Sequence, residues 1–282
     1  MHKRLAVIIQ YCLPKQVITI LAGKFADAKA GRLTTAVIRW FIGRYGVNME
    51  EAAEPDIHKY ATFNDFFTRA LRADARPIAD AEFICPVDGA ISQFGAIKSG
   101  QIFQAKGHQY SATSLLAGNA ALAEKFRVGS FATLYLSPRD YHRIHMPCDG
   151  QLKSMHYVPG DLFSVNPATA AGVPGLFARN ERVVCEFESE TIGSFVLVLV
   201  GATIVGSMAT TWHGVVNPPR SGAVRSWRYD EEDIVLQQGD EMGRFLLGST
   251  VVMLFPAGKL DFNPQWTAGK AVHLGEVMAN KP

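Results

Sequence analysis

The sequence predicts an α+β protein, with a helical N-terminal region over residues 1–72 and a β-rich domain over residues 73–282. Three observations carry this. Basic residues and aliphatic blocks are interleaved through the first 45 residues, and short β-branched runs bounded by Gly or Pro dominate beyond residue 80. A Pro-x-Asp-Gly-x-aliphatic motif also occurs twice, 61 positions apart. At 282 residues, 48% of them hydrophobic, the chain can bury a sizeable core, and its length allows one or two domains.

In the N-terminal region, Lys3, Arg4, Lys15, Lys24, Lys29, Arg32, Arg39 and Arg44 stand against Asp27 alone. That is a net of +7 over residues 1–45, and since the whole chain is +2 the remainder carries −5. Between the bases lie apolar blocks at 5–9, 17–21 and 40–42. No stretch reaches 18 uninterrupted apolar residues, so no membrane span is predicted. Residues 5–9 imitate a signal-peptide core, but Gln10, Pro14 and Lys15 interrupt it and no convincing cleavage site follows. Basic amphipathic helices lying in a membrane interface account for the pattern. Leu5, Val7, Ile8, Val17, Ile18, Trp40 and Phe41 would meet lipid, and Lys3, Arg4, Lys15, Lys24, Arg39 and Arg44 anionic head groups. The alternative is a basic arm packed on the protein body. Nucleic acid is a poor partner, because the bases sit among aliphatics rather than stacking aromatics and the rest of the chain is acidic. Cys12, Cys85, Cys148 and Cys185 form no Cys-x-x-Cys pair, which predicts free thiols in a reducing compartment.

Beyond residue 80, the runs 196–200, 203–205 and 250–255 read as buried strands. Residues 159–180 and 214–222 read as loops, and 112–125 as a helix. No nucleotide-binding fingerprint is present. The pairs Asp88-Gly89 and Asp149-Gly150 between apolar runs are hairpin signals, and their recurrence predicts two similar β-units packed together. Asp88 admits two readings, a turn former or the orienting partner of a histidine.

Gly248-Ser249-Thr250 interrupts an otherwise apolar run. A buried strand has little use for such residues, since Gly weakens it and hydroxyls need partners. One reading is a bulge at Gly248. The other is a serine whose hydroxyl attacks the carbonyl before it, which Gly leaves unshielded. In Ser137-Pro138-Arg139-Asp140-Tyr141-His142-Arg143-Ile144-His145-Met146-Pro147 two histidines stand three apart between prolines, too short a segment for a typical helix. Acid–base work suits them. A metal site would need further ligands that the spacing does not offer, and two surface histidines beside a turn remain an alternative.

Taken together, Cys85-Pro86-Val87-Asp88-Gly89, the segment 136–147, Asn180-Glu181-Arg182 and Leu247-Gly248-Ser249-Thr250 resemble phosphatidylserine decarboxylase of the bacterial, membrane-associated type. Phe63-Asn64-Asp65-Phe66-Phe67-Thr68-Arg69 and Arg76-Pro77-Ile78 are similar to the same family. The matches run in the family's order from about residue 60 to 258, with Asp149 a mild departure at a turn position.

The resemblance implies a self-cleaving zymogen and an enzyme of phospholipid biosynthesis. Ser249, deprotonated by His145 with Asp88 orienting it, would attack Gly248. The cut would yield a β chain of residues 1–248 and an α chain of residues 249–282, with Ser249 converted to a covalent pyruvoyl group. That ketone would form a Schiff base with phosphatidylserine and act as electron sink as CO₂ leaves, giving phosphatidylethanolamine. His142 would reprotonate the substrate carbon. No metal, pyridoxal phosphate or nucleotide is expected. Implied partners are the substrate, an anionic membrane surface at the cytoplasmic side and the two self-cleavage chains, with a homodimer admitted but not required. Two rival readings exist. A Ser249–His145–Asp88 hydrolase without self-cleavage would lack the common Gly-x-Ser-x-Gly elbow, and a lipoyl-type carrier would lack its hairpin lysine.

Overall fold

The computed structural model describes residues 7, 10, 11, 13–204, 207–217, 220, 222–247 and 250–282. Lys3, Arg4, Leu5, Ile8, Cys12, Val205, Gly248 and Ser249 lie outside them. The described chain is mixed helix and strand, mostly antiparallel sheet.

The main sheet runs in spatial order Arg225–Arg228, Gly150–Val158, Arg182–Ser189, Gly193–Val200, Thr250–Phe255, Ser130–Tyr135, Gly89–Ala96, Ala271–Val272, with Val235–Leu236 also on Gly150–Val158. Thr250–Phe255 lies at its centre, paired along its length with Ser130–Tyr135 and with most of Gly193–Val200. Both faces of this sheet are covered. Val251, Met253, Phe255, Leu197 and Leu199 enter one core, whereas Val252, Leu254, Val196, Val198 and Val200 enter the other. Double-sided burial is why these strands are continuously apolar instead of alternating. A second sheet orders Gly214–Val215, Met208–Thr210, Glu241–Phe245 and Arg143–His145. The chain therefore leaves one sheet at Phe245 and joins the other at Thr250.

The two Pro-x-Asp-Gly segments do pack together, and reciprocally. The amide of Ile84 donates to the carbonyl of Pro147, and that of His145 to Pro86 (3.0 and 2.9 Å). Each aspartate accepts one backbone amide, Asp88 from Leu274 (2.9 Å) and Asp149 from Gln238 (2.7 Å). The residues that follow these donors, Gly275 and Gly239, have φ of +86° and +87°. These are equivalent positions in two copies of one β-unit. The hairpin expectation is corrected, however. Asp-Gly opens the strands Gly89–Ala96 and Gly150–Val158 instead of closing hairpins, and its glycines serve close approach. A Cβ on Gly89 would strike the Tyr135 carbonyl, and one on Gly150 would lie 2.8 Å from the Phe195 ring.

Other local expectations change as well. The helix expected over 112–125 is two short ones, Ala112–Leu115 and Ala120–Glu124, separated by Ala117 and Gly118 in left-handed conformation (φ +61° and +84°). Thr203 and Ile204, expected in a strand, form a turn with Ile204 at φ +74°. The loop 159–180 contains the short helices Pro167–Ala170 and Leu176–Arg179. Asn180 pins this loop, exchanging hydrogen bonds with the backbone of Phe163 and donating to the Gly201 carbonyl.

The N-terminal region contributes the helices Lys15–Ala26 and Arg32–Tyr45. Among the described residues, no helix is long and apolar enough to cross a membrane. Val17, Ile20, Leu21, Phe25, Leu33 and Trp40 are exposed, as are Lys24, Lys29, Arg32, Arg39 and Arg44. Ile18 is half-buried. Three residues expected at the membrane face the protein, among them Val7, which packs on the core beside Gly172. Phe41 packs among Tyr45, Phe63, Phe66 and Phe67 at ring distances of 4.5–6.0 Å. Lys15 donates to the carbonyl of Gln10 and lies 4.2 Å over the Phe163 ring. Aromatic surface nearby offers Phe41 and Lys15 a better-buried contact than water does.

Candidate active site

The site forms where the two sheets meet, and backbone register places its parts. Thr250 pairs with Tyr135, two residues before Ser137. Residues 137–140 then turn tightly: the Ser137 amide donates to the Asp140 carboxylate at 2.6 Å, and the Asp140 amide returns to the Ser137 carbonyl at 3.0 Å. The turn delivers His142, whose carbonyl accepts the Phe245 amide (3.0 Å). His142 is thus tied to the chain on both sides of the segment that holds Gly248 and Ser249.

His142 is fully buried. Its ring stacks on Phe67 at 4.1 Å and approaches the Ser137 carbonyl through Nε2 at 3.1 Å. A carbonyl only accepts, so the proton sits on Nε2. Nδ1 is left buried without a partner. Burial first, and then the charge of Arg69, push the ring's pKa down to about 3. His142 is neutral at physiological pH.

His145 has a different environment. Its Nδ1 donates to the Gly239 carbonyl at 2.7 Å, and the Tyr141 hydroxyl lies 3.2 Å from Nε2. The carbonyl fixes the proton on Nδ1, leaving a lone pair on Nε2. Burial lowers the pKa, with Arg143 adding to the effect. The ring is therefore a neutral base with a defined tautomer.

Asp88 does not hydrogen-bond His145, which corrects the expected relay. It is buried and takes a fork from Arg76, with Nε at 2.9 Å and Nη2 at 2.6 Å, besides the Leu274 amide. His273 stands 3.7 Å away. Burial alone would raise the carboxyl's pKa. The contacts of His273, Arg76 and Leu274 outweigh it and hold the group at about 2. The physical reason is geometric: Asp88 closes the β-unit turn, as Asp149 does in the other copy, and the Gly239 carbonyl takes the orienting place beside His145. Local sequence gave no signal for Gly239, Tyr141 or His273, because their partners lie on other elements. Arg76 stood in a recognised motif without an assigned role.

Thr250, beside Ser249, is buried with its hydroxyl unpartnered. Nδ1 of His142 is likewise buried without a partner. Among the described residues no group of three or more His, Cys, Asp or Glu could hold a metal ion.

A fully buried and a half-buried neutral histidine where two sheets meet, in a chain that carries Gly248-Ser249-Thr250, fit the family whose model matches here. Residues 63–280 match the model described as phosphatidylserine decarboxylase, and residues 5–46 match one described as PSD. The chain belongs to the phosphatidylserine decarboxylase family. It is 72% identical over 282 residues to a phosphatidylserine decarboxylase proenzyme of Albidiferax ferrireducens, covering 100% of this chain and 99% of that one. To the proenzyme of Dechloromonas aromatica it is 69% identical over 280 residues, 99% of each chain. These relatives support a decarboxylase and give no support to the hydrolase reading.

Asp88→Asn should destabilise the fold by about 1–3 kcal/mol, because the half-buried Arg76 guanidinium loses one of its two carboxylate partners and keeps Glu51 alone. Asp88's pKa is depressed on folding, so its stabilisation is full above the usual carboxylate value of about 4 and is lost as pH falls toward 2. Thermal melts of both proteins between pH 7 and 3 check this. The gap between them should be widest at neutral pH and shrink with acid.

Proposed function

We propose that this chain is a proenzyme that cuts itself between Gly248 and Ser249 and then decarboxylates phosphatidylserine to phosphatidylethanolamine. The observation that best supports this is a pair of neutral histidines, one fully and one half-buried, with different hydrogen-bond partners, near where the chain passes from Phe245 to Thr250.

In maturation His145 acts first. With its proton on Nδ1, it offers Nε2 to the Ser249 hydroxyl, which attacks the Gly248 carbonyl and forms an ester. Elimination releases the β chain, 1–248, and the α chain, 249–282, hydrolyses at its new end to a pyruvoyl group and ammonia. Asp88 contributes a buried negative charge that favours the imidazolium formed at His145, acting through space.

The pyruvoyl ketone supplies the electron sink that decarboxylation needs. The Thr250 hydroxyl, buried without a partner of its own, would be the hydrogen-bond donor to that group. His142, its ring fixed with the proton on Nε2 by the Ser137 carbonyl, has Nδ1 as its free nitrogen, which takes up a proton before delivering it to the substrate carbon. Phe67, stacked on His142, keeps water from the site, and apolar surroundings favour neutral CO₂ over the carboxylate.

Residues 1–72 form the membrane-binding region and 73–282 the catalytic domain in this reading. The protein sits peripherally at the cytoplasmic face of the cell membrane. Val17, Ile20, Leu21 and Trp40 present apolar surface there beside Lys24, Arg39 and Arg44.

Ser249→Ala, His145→Ala and Asp88→Ala should stay as single chains near 30.8 kDa, whereas His142→Ala should cleave at least partly and release no CO₂. Electrophoresis, intact mass and a CO₂ assay distinguish them, and normal cleavage of Ser249→Ala would exclude the serine. Self-cleavage should also tolerate acid. Because His145's pKa is lowered, its base form persists below pH 6.5, and the rate should fall only at more acid values. A midpoint at or above 6.5 would argue against His145 as the base.

Reversing Lys24, Arg39 and Arg44 to Glu should weaken binding to anionic vesicles strongly, since each base near the surface contributes about 1 kcal/mol. Self-cleavage should survive. Flotation with vesicles at low and high salt is the measurement, and unchanged flotation would remove these residues as the anchor.

A further inference from the structure

Arg69 is a buried cation that no step above uses. It follows the helix Phe63–Phe67 and is only 5% exposed. Its Nε has no hydrogen-bond partner, and Nη2 reaches the Arg139 carbonyl only at 3.5 Å. Glu51 and Asp88, whose fields it feels, are both bound to Arg76 instead. Arg69 lies 5.4 Å from the Phe66 ring and feels the hydroxyls of Tyr60 and Tyr141, neither of which is an anion at neutral pH. A guanidinium stays charged in a protein, and a buried charge without a counter-ion is strongly disfavoured. Such a group is prepared for an anion that arrives later.

Its place says which anion. Phe67, two residues earlier, covers the ring of His142, and Arg139 belongs to the turn that delivers His142. We propose that Arg69 binds the phosphodiester of the phospholipid head group and positions the substrate against His142. This rests on the decarboxylase reading. The head group's other anion, the carboxylate, loses its charge as CO₂ departs. A cation holding it would stabilise the ground state more than the transition state and slow the reaction. The phosphodiester keeps its charge throughout, and the planar fork of donors matches its oxygens. Docking there would also offset the Arg69 charge, the second cause after burial of His142's lowered pKa, and so ease protonation of the ring. His142 lies fully beneath Phe67.

The test compares the full-length wild type, Arg69→Gln and Arg69→Lys on a water-soluble short-chain phosphatidylserine. Glycerophosphoethanolamine, a phosphodiester with no carboxylate, serves as competitor. Arg69→Gln should self-cleave, show a KM raised about 10- to 100-fold with a smaller fall in kcat, and lose inhibition by the competitor to a similar extent. Arg69→Lys, keeping charge without the fork, should fall between. An unchanged KM and unchanged inhibition would overturn the proposal. So would a raised KM with undiminished inhibition, which would assign Arg69 to the carboxylate. Failure of both variants to self-cleave would overturn it too, placing Arg69 in the folding of the precursor. Failure of the decarboxylase reading itself would be separate and visible first, as a wild type that releases no CO₂.

Discussion

Burial of the strand Thr250–Phe255 on both faces is the constraint from which the site's geometry follows. Its side chains alternate between two cores, and its backbone bonds to neighbours on both edges. A slip of one residue would exchange every side chain between cores that differ in shape. The register is therefore held, and with it the opposition of Thr250 and Tyr135. The turn at 137–140 follows from Tyr135, and the bond from Phe245 to His142 closes the circuit from the other sheet. Rigid strands place the histidines, and the short turn only connects them.

Environment then separates two histidines that the sequence makes look alike. His142 is fully buried and His145 half-buried, and burial lowers the pKa of both. The Ser137 carbonyl claims Nε2 of one, and the Gly239 carbonyl claims Nδ1 of the other. Opposite ring nitrogens are therefore left available, one beneath Phe67 and one beside Tyr141. A division of labour between base and proton donor needs such an asymmetry. Asp88, locked to Arg76 and the Leu274 amide, supplies charge to the region while its oxygens remain engaged in the fold.

Much of this was readable from the residues. The runs 196–200 and 250–255 were legible because burial on both faces leaves them uninterruptedly apolar, and Gly248-Ser249-Thr250 stood out against that background. The repeat of Pro-x-Asp-Gly was legible as a repeat, but its conformation was not. Its glycines answer to the Tyr135 carbonyl and the Phe195 ring, which are distant in sequence. The helix over 112–125 failed at Ala117, an alanine in a left-handed conformation that propensity does not foresee. The partner of His145 lies 94 residues away and is a backbone carbonyl, which carries no side-chain signature at all. Likewise, that Phe41 turns inward while Trp40 stays exposed depends on the aromatic cluster at 63–67.

The position of the central strand has a consequence for the life of the molecule. A cut before Ser249 would place Thr250–Phe255, Ala271–Val272 and Val277–Asn280 on a separate short chain. That piece would remain enclosed, since its strands are bonded into both the main sheet and the small sheet of Phe83–Ile84. Once lost, however, it could not be regained by the route that made it. Only the uncut precursor can fold as a unimolecular process. The severed pair would need an encounter between two chains, each exposing apolar strands prone to associate wrongly. The mature form would then persist by the slowness of its unfolding instead of by a reversible equilibrium, and its thermal denaturation would run one way.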